Sequence, residues 1–215
     1  NDEIKKLLDM GLLKITTSID AGCEKTFASV RGFKGRSGLE KVMCNLVKYA
    51  EGDPGNIIIK YIFTKGNTSS DELLGFCDKI IKHRLLGCSF QLSYDFESEN
   101  VSTEDLVALI FLRHKLIEAG AKNVFFDDLL WIRIGTVYEE NRRQIDERLS
   151  ELQIKDGLAD PAGYSRVVVW GAGQLAVDLV KNTLFFKNTN FEYFVDSDSS
   201  KWGTRFLGKD VRSPE

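Results

Sequence analysis

The feature that most constrains the fold is an alternation of two patterns along the first 130 residues. Short β-branched or apolar runs are followed, each time, by stretches whose apolar residues recur three and four apart. Residues 12–19 (LLKITTSI) form the first run and end on Asp20-Ala-Gly22. In residues 37–51, Leu39, Val42, Met43, Leu46, Val47 and Ala50 make one helical stripe, with Ser37 as the expected N-cap. Gly52-Asp-Pro-Gly55 breaks the chain, and residues 56–63 (NIIIKYIF) read as a strand buried on both faces. Ser70-Asp-Glu72 opens a helix carrying Leu73, Leu74, Cys77, Ile80 and Ile81. Residues 88–94 read as a third strand. Ser102-Thr-Glu-Asp105 caps a third helix that Gly120 ends, and residues 122–126 read as a fourth strand. A strand–helix repeat of about 30 residues predicts right-handed βαβ units on a parallel sheet, an α/β fold of the partial (β/α) barrel type.

Beyond residue 137 the pattern changes. Residues 138–154 crowd Glu139, Glu140, Arg142, Arg143, Asp146, Glu147, Arg148 and Glu151 into a helical stretch with few apolar positions, read as a solvated linker helix. Gly157 and Asp160-Pro-Ala-Gly163 end it. A second unit then opens: a strand over 166–170, the turn Gly171-Ala-Gly173-Gln-Leu-Ala176, a helix over 177–184, and a strand over 191–195 ending at Asp196. The expected organisation is a partial barrel-type sheet over 1–137, a charged linker helix over 138–163, and the start of a Rossmann-like nucleotide-binding domain over 164–215.

Charge and composition narrow the function classes. Lys and Arg total 29 against 32 Asp and Glu, a net charge of −3 without a long block of either sign, which disfavours a nucleic-acid binder. No apolar run reaches the roughly 18–20 residues of a spanning helix, so no membrane segment is expected. The four cysteines, Cys23, Cys44, Cys77 and Cys88, fit neither a zinc ribbon nor an iron–sulfur ligand run, and their scatter suggests a reducing, cytoplasmic setting. The chain starts at Asn1 and stops at Glu215 where a new segment would begin, so it reads as a piece of a longer protein.

Gly171-x-Gly173-x-x-Ala176 carries the clearest local chemistry. The first glycine lets the strand turn into the helix, and the second lets backbone approach a phosphate at the helix N-terminus. The small third residue lets helix and strand pack closely. Asp196 lies 196 − 173 = 23 residues on, near the spacing of about 20 at which an acid accepts from ribose hydroxyls. NAD, a nucleotide-sugar or an adenosyl group fits an acid there better than NADP; the alternative is a Rossmann-like turn whose glycines serve packing alone. In the first unit, Ser18 and Asp20 close the first strand, Asn67 follows the second, and Gln91 lies within the third, so several strands present polar groups at one end of the sheet. Ordinary loop capping competes with that reading at Asp20. Arg31 starts a basic loop suited to a carboxylate or phosphate. His83 and His114 sit in helix patterns without a metal-type partner spacing and read as packing or surface residues, so no metal ligands are assigned. No catalytic residue is assigned either.

Residues 12–134 resemble the second half of a radical S-adenosylmethionine enzyme. The resemblance is carried by Ile15-Thr-Thr-Ser-Ile-Asp20, Thr26-Phe-Ala-Ser-Val-Arg-Gly32, the helix over 38–49, and Ile57-Ile-Ile-Lys-Tyr-Ile-Phe63 followed by Asn67. It implies a partial (β/α)₆ barrel, with Ser18 near the methionine part of the cofactor, Asp20 shaping the same strand end, and Arg31, Asn67 and Gln91 as weaker counterparts. The family's Cys-x₃-Cys-x₂-Cys loop for a [4Fe–4S] cluster is absent from this sequence. Radical chemistry, S-adenosylmethionine and the cluster are therefore expected of a parent protein, and not of this piece alone. The C-terminal stretch resembles Rossmann-like domains of sugar-modifying proteins through Val169-Trp-Gly-Ala-Gly173, Phe194-Val-Asp-Ser-Asp198, Trp202-Gly203, Phe206-Leu-Gly-Lys209, Val211 and Ser213-Pro214. The combined expectation is a radical enzyme acting on a sugar or nucleotide-sugar. A non-catalytic nucleotide-binding or interaction module and a conventional methyltransferase are the alternatives. The apolar first strand is also expected to self-associate through its exposed edge, or to be covered by the helix over 138–154.

Overall fold

The computed structural model describes residues 2–32, 37–95, 101–154, 166–182, 186 and 189–214. The breaks expected at Gly157 and at 160–163, the loop after Arg31 over 33–36, and the helix end at Leu184 lie outside them. The chain divides into two compact units, Asn1–Asp127 and Asp128–Glu215.

In the first unit a short helix α1 (Asp2–Asp9) precedes β1 (Ile15–Ser18). Then come α2 (Glu24–Arg31), α3 (Gly38–Ala50), β2 (Ile57–Phe63), α4 (Ser70–Lys82), β3 (Ser89–Tyr94), α5 (Thr103–Glu118) and β4 (Asn123–Phe126). The four strands are all parallel and lie in the order β1-β2-β3-β4. The mixed α/β fold and its parallel sheet are thus as the alternation requires. Sequential order carries a further consequence. Successive right-handed crossovers that always step the same way leave every connecting helix on one face of the sheet, as in a barrel wall; a doubly wound sheet reverses direction instead.

Burial along β2 agrees. Ile57, Ile59, Tyr61 and Phe63 are fully buried while Ile58, Lys60 and Ile62 alternate with them half-buried. The buried face meets α4: the Tyr61 ring lies 4.9 Å from Phe76 and 5.0 Å from Phe63. The near-continuous apolar run of this strand suggested burial on both faces; one face is fully buried and the other half-buried.

Helix starts follow side-chain chemistry, with one correction. Ser102 and Asp105 form the expected reciprocal capping box on α5. Ser69, one residue before the expected start, accepts from the Glu72 amide at α4. Ser37 does not cap α3: its backbone is left-handed (φ 64°) and its hydroxyl makes no cap bond. Glu24 does that work from α2, its carboxylate accepting from the Leu39 and Glu40 amides at 3.0 and 2.9 Å. Glu72 acts likewise from α4, accepting from the Gly22 and Cys23 amides at 2.5 and 3.0 Å.

The second unit begins with α6 (Asp128–Glu151), which kinks at Asn141 and buries Ile134, Tyr138, Ile145 and Leu149. The stretch read as a solvated linker is therefore the second half of a longer helix with an apolar stripe, and it packs against α7 (Gln174–Asn182). β5 (Val169–Trp170) precedes α7; β6 (Phe194–Val195), β7 (Arg205–Phe206) and β8 (Lys209–Arg212) follow. The sheet order is β5-β6-β8-β7, with only the β7/β8 pair antiparallel. Leu207 and Gly208, both at positive φ, make the tight turn between β7 and β8. Val169, Ala176, Phe191, Phe194 and Val211 form the core of this unit.

Candidate functional site

Strand register places three polar residues of the first unit in one row. Ser18 pairs with Lys60, and Lys60 with Gln91. Parallel partners point to the same face, so the row lies on the face opposite Tyr61 and Phe63, beside Thr16, Ile58 and Ser89 of the preceding row. The next row holds Ile62 and Ser93, whose hydroxyl is buried without a hydrogen-bond partner. The Lys60 ammonium lies 4.0 Å from the Asp127 carboxylate, and both side chains are largely enclosed. A hydroxyl, an ammonium and an amide on a half-buried surface can together bind a carboxylate and neighbouring hydroxyls. Lys60 did not feature among the sequence-read candidates. Its signal was a lone charge inside an otherwise apolar strand.

Asp20, Arg31 and Asn67 converge at the carboxyl ends of β1 and β2, but they bond to one another and to backbone. Asp20 is 2% exposed and adopts a left-handed backbone (φ 48°). One carboxylate oxygen accepts from the Ile62 amide at 2.7 Å and the other pairs with the Arg31 guanidinium. Burial pushes its carboxyl above the ordinary range, against the pull of the Ile62 amide and Arg31. Asn67 is fully buried: its amide donates to the Asp20 and Ile62 carbonyls at 2.9 Å each, and its oxygen accepts from the Thr64 amide at 2.8 Å. Tyr61 donates to the Asn67 carbonyl at 2.8 Å. These contacts lock the two strand ends together.

In the second unit Gly171 has φ 93° and donates to the Val195 carbonyl at 2.6 Å, which ties the turn to the end of β6. Ala176 is buried against Val169 and Phe194, as close packing of helix on strand demands. Gly173 has open space where a Cβ would stand. Asp196 is 6% exposed. One of its oxygens accepts from the Ala172 amide at 2.7 Å and from Lys201 at 2.9 Å; the other accepts from the Asp198 amide at 2.9 Å. These bonds, the Ala172 amide foremost, hold its carboxyl down at about 2. The Trp202 indole donates to the Asp196 carbonyl at 2.7 Å. The residues of the C-terminal motif are thus a connected structure: Asp196 fixes the glycine turn and the loop to Trp202.

A third cluster was missed in the sequence. Glu40 and Cys44, one turn apart on α3, lie beside His83, the C-cap of α4, with their donor atoms all within 4.8 Å of one another. The two elements are 39 residues apart in the chain (83 − 44), so no local spacing signals them.

Cys77 and Cys88 are buried, and burial pushes their thiols up to about 12 and about 11. Among the described residues, no helix is long and apolar enough to cross a membrane. Compared with protein-family models, with curated proteins and with solved structures, the chain matches none.

Proposed function

We propose that this chain forms part of a radical S-adenosylmethionine enzyme acting on a sugar or nucleotide-sugar, with the face of β1–β3 that carries Ser18, Lys60 and Gln91 as the cofactor wall. The observation that carries this reading is the sequential strand order together with the Ser18–Lys60–Gln91 row. Sequential strand order with right-handed crossovers makes this the face that a closing (β/α) barrel turns inward. Lys60 and Gln91 would hold the methionine carboxylate and a ribose hydroxyl, and Ser18 would face the same cofactor. Asp20, Arg31 and Asn67 position the strand ends behind them.

A [4Fe–4S] cluster does not fit this chain's own residues. The single cluster of three donor side chains found among the described residues contains one cysteine. Two of the other three thiols are buried and held neutral. No chemical step through such a cluster is assigned to this chain.

The glycine turn with Asp196 favours a second reading, a conventional methyltransferase or nucleotide-binding module that holds its adenosyl or NAD ligand in the second unit. Calorimetric titration with S-adenosylmethionine separates the two. The barrel reading predicts that Lys60→Ala and Gln91→Ala each weaken binding by about tenfold or more, the size of one charge-assisted or buried hydrogen bond, while Gly171→Val leaves it intact. Binding that depends on Gly171 and ignores Lys60 would overturn it. The coding sequence upstream of Asn1 supplies the companion test: the reading requires a Cys-x₃-Cys-x₂-Cys segment there.

A further inference from the structure

We propose that Glu40, Cys44 and His83 form a binding site for a borderline divalent transition metal, Zn²⁺ being the fitting ion. The three donors differ in kind: a carboxylate, a thiol and an imidazole, a set that suits zinc and excludes hard cations such as Mg²⁺ and Ca²⁺. Two come from one face of α3, four residues apart, and the third from the end of a different helix.

The His83 imidazole makes this more than a chance meeting of surface groups. Its side chain is 9% exposed, and its Nε2 lies 3.2 Å from Glu40 Oε1. Yet Nε2 is shielded from solvent and makes no hydrogen bond. The enclosed nitrogen meets the Glu40 carboxylate without hydrogen-bond alignment, and a metal ion between the two would bond to both. The spacing also fits. Tetrahedral bonds of about 2.0–2.3 Å place ligand atoms about 3.3–3.7 Å apart, and the donor atoms here lie within 4.8 Å of one another. Small rotations of Glu40 and Cys44, both partly or fully open to solvent, close the remainder.

A cation already sits at this carboxylate. Lys82 Nζ lies 3.0 Å from Glu40 Oε1, and Lys82 is 64% exposed. The lysine contact, first among the influences on Glu40, holds its carboxyl below the usual range. Lys82 is therefore a competitor that a divalent ion displaces, and its free side chain can swing into solvent. The Glu40 backbone is itself anchored by Glu24, which fixes the start of α3 and so the position of the donors. With three protein ligands, the fourth position falls to water, on the side where Cys44 is exposed.

Cobalt and zinc provide the test on the 215-residue chain. Co²⁺ titration is expected to reach one ion per chain, with a thiolate charge-transfer band in the near ultraviolet. Cys44→Ser removes that band and Cys23→Ser keeps it. Zn²⁺ competition against a chromogenic chelator is expected to show His83→Ala weaker by more than the roughly 10–100-fold that loss of a residue behind a ligand costs. Lys82→Ala should tighten Zn²⁺ by about two- to fivefold, the worth of one exposed ion pair. Absence of binding, a band that survives Cys44→Ser, or weaker Zn²⁺ binding by Lys82→Ala overturns the site. Unchanged circular dichroism in Cys44→Ser and Lys82→Ala confirms that both comparisons are made on folded protein.

Discussion

Replacing Asn67 by Ala separates a locking role from a ligand-binding one. The side chain makes three hydrogen bonds, to the Thr64 amide and to the Asp20 and Ile62 carbonyls, at 2.8–2.9 Å, and it is fully buried. At about 0.5–1.5 kcal/mol net for each bond, the loss is about 1.5–4.5 kcal/mol. With a urea slope of about 1–3 kcal/mol/M, a central value of 3 kcal/mol lowers the midpoint by about 1–3 M. Equilibrium urea unfolding, followed by far-ultraviolet circular dichroism, measures this directly, with the slope expected to stay unchanged. Asn67→Asp keeps the acceptor for Thr64 but loses both donations and turns a buried carboxylate on the Asp20 and Ile62 carbonyls, so it should fall at least as far. S-adenosylmethionine affinity measured well below the midpoint should change little in either variant. A midpoint within about 0.2 M of wild type, with a tenfold loss of affinity, would refute the locking argument and return Asn67 to the ligand site.

Three further outcomes follow from the same geometry. A Cβ on Gly22 would stand 1.9 Å from the Glu72 carbonyl and 2.7 Å from the Phe76 amide, so Gly22→Ala should destabilise by about 1–3 kcal/mol or more, while Gly66→Ala, with nothing within 4 Å, should be near neutral in the same urea titration. Asp196 is held at about 2 in the folded chain against about 3.9 unfolded, so its stabilisation is present above that upper value and fades as pH falls towards 2; Asp196→Asn should flatten that part of the stability–pH curve measured by thermal melts. β1 pairs only with β2 among the described residues, so its other edge is free to recruit a second copy. Thr16, exposed on that strand, replaced by Lys should then shift sedimentation towards monomer, and identical sedimentation of both proteins would remove the edge-pairing idea.

The order of strands and helices was legible because each element carries its own local signal: β-branched runs, three-and-four spacing, and Ser102 three residues before Asp105. What remained hidden depends on contacts across the chain. Ser37 looked like the cap of α3, but Glu24 from another helix supplies it. The charged stretch after Tyr138 looked solvated because charges outnumber apolar residues, yet Ile145 and Leu149 are enough to bury one stripe. The β7/β8 hairpin was too short to show an alternation, and Leu207-Gly208 was read only as part of a motif. At the site, residue types were readable and their roles were not. Asp20 and Asn67 are polar at strand ends, as ligand residues would be, and only their bonds to backbone distinguish locking from binding. Lys60 shares the row with Ser18 and Gln91 through sheet register, which no single segment contains. His83 meets Glu40 and Cys44 through the packing of two helices.

As proposed above, the face of the first sheet that carries Ser18, Lys60 and Gln91 is the ligand wall. Amide chemical-shift mapping during titration with S-adenosylmethionine locates the ligand without any substitution. Shifts are expected to concentrate at Ser18, Lys60, Gln91 and their neighbours in β1–β3, with the glycine turn undisturbed. Shifts confined to Gly171–Ala176 and Asp196, or none at saturating ligand, would contradict it.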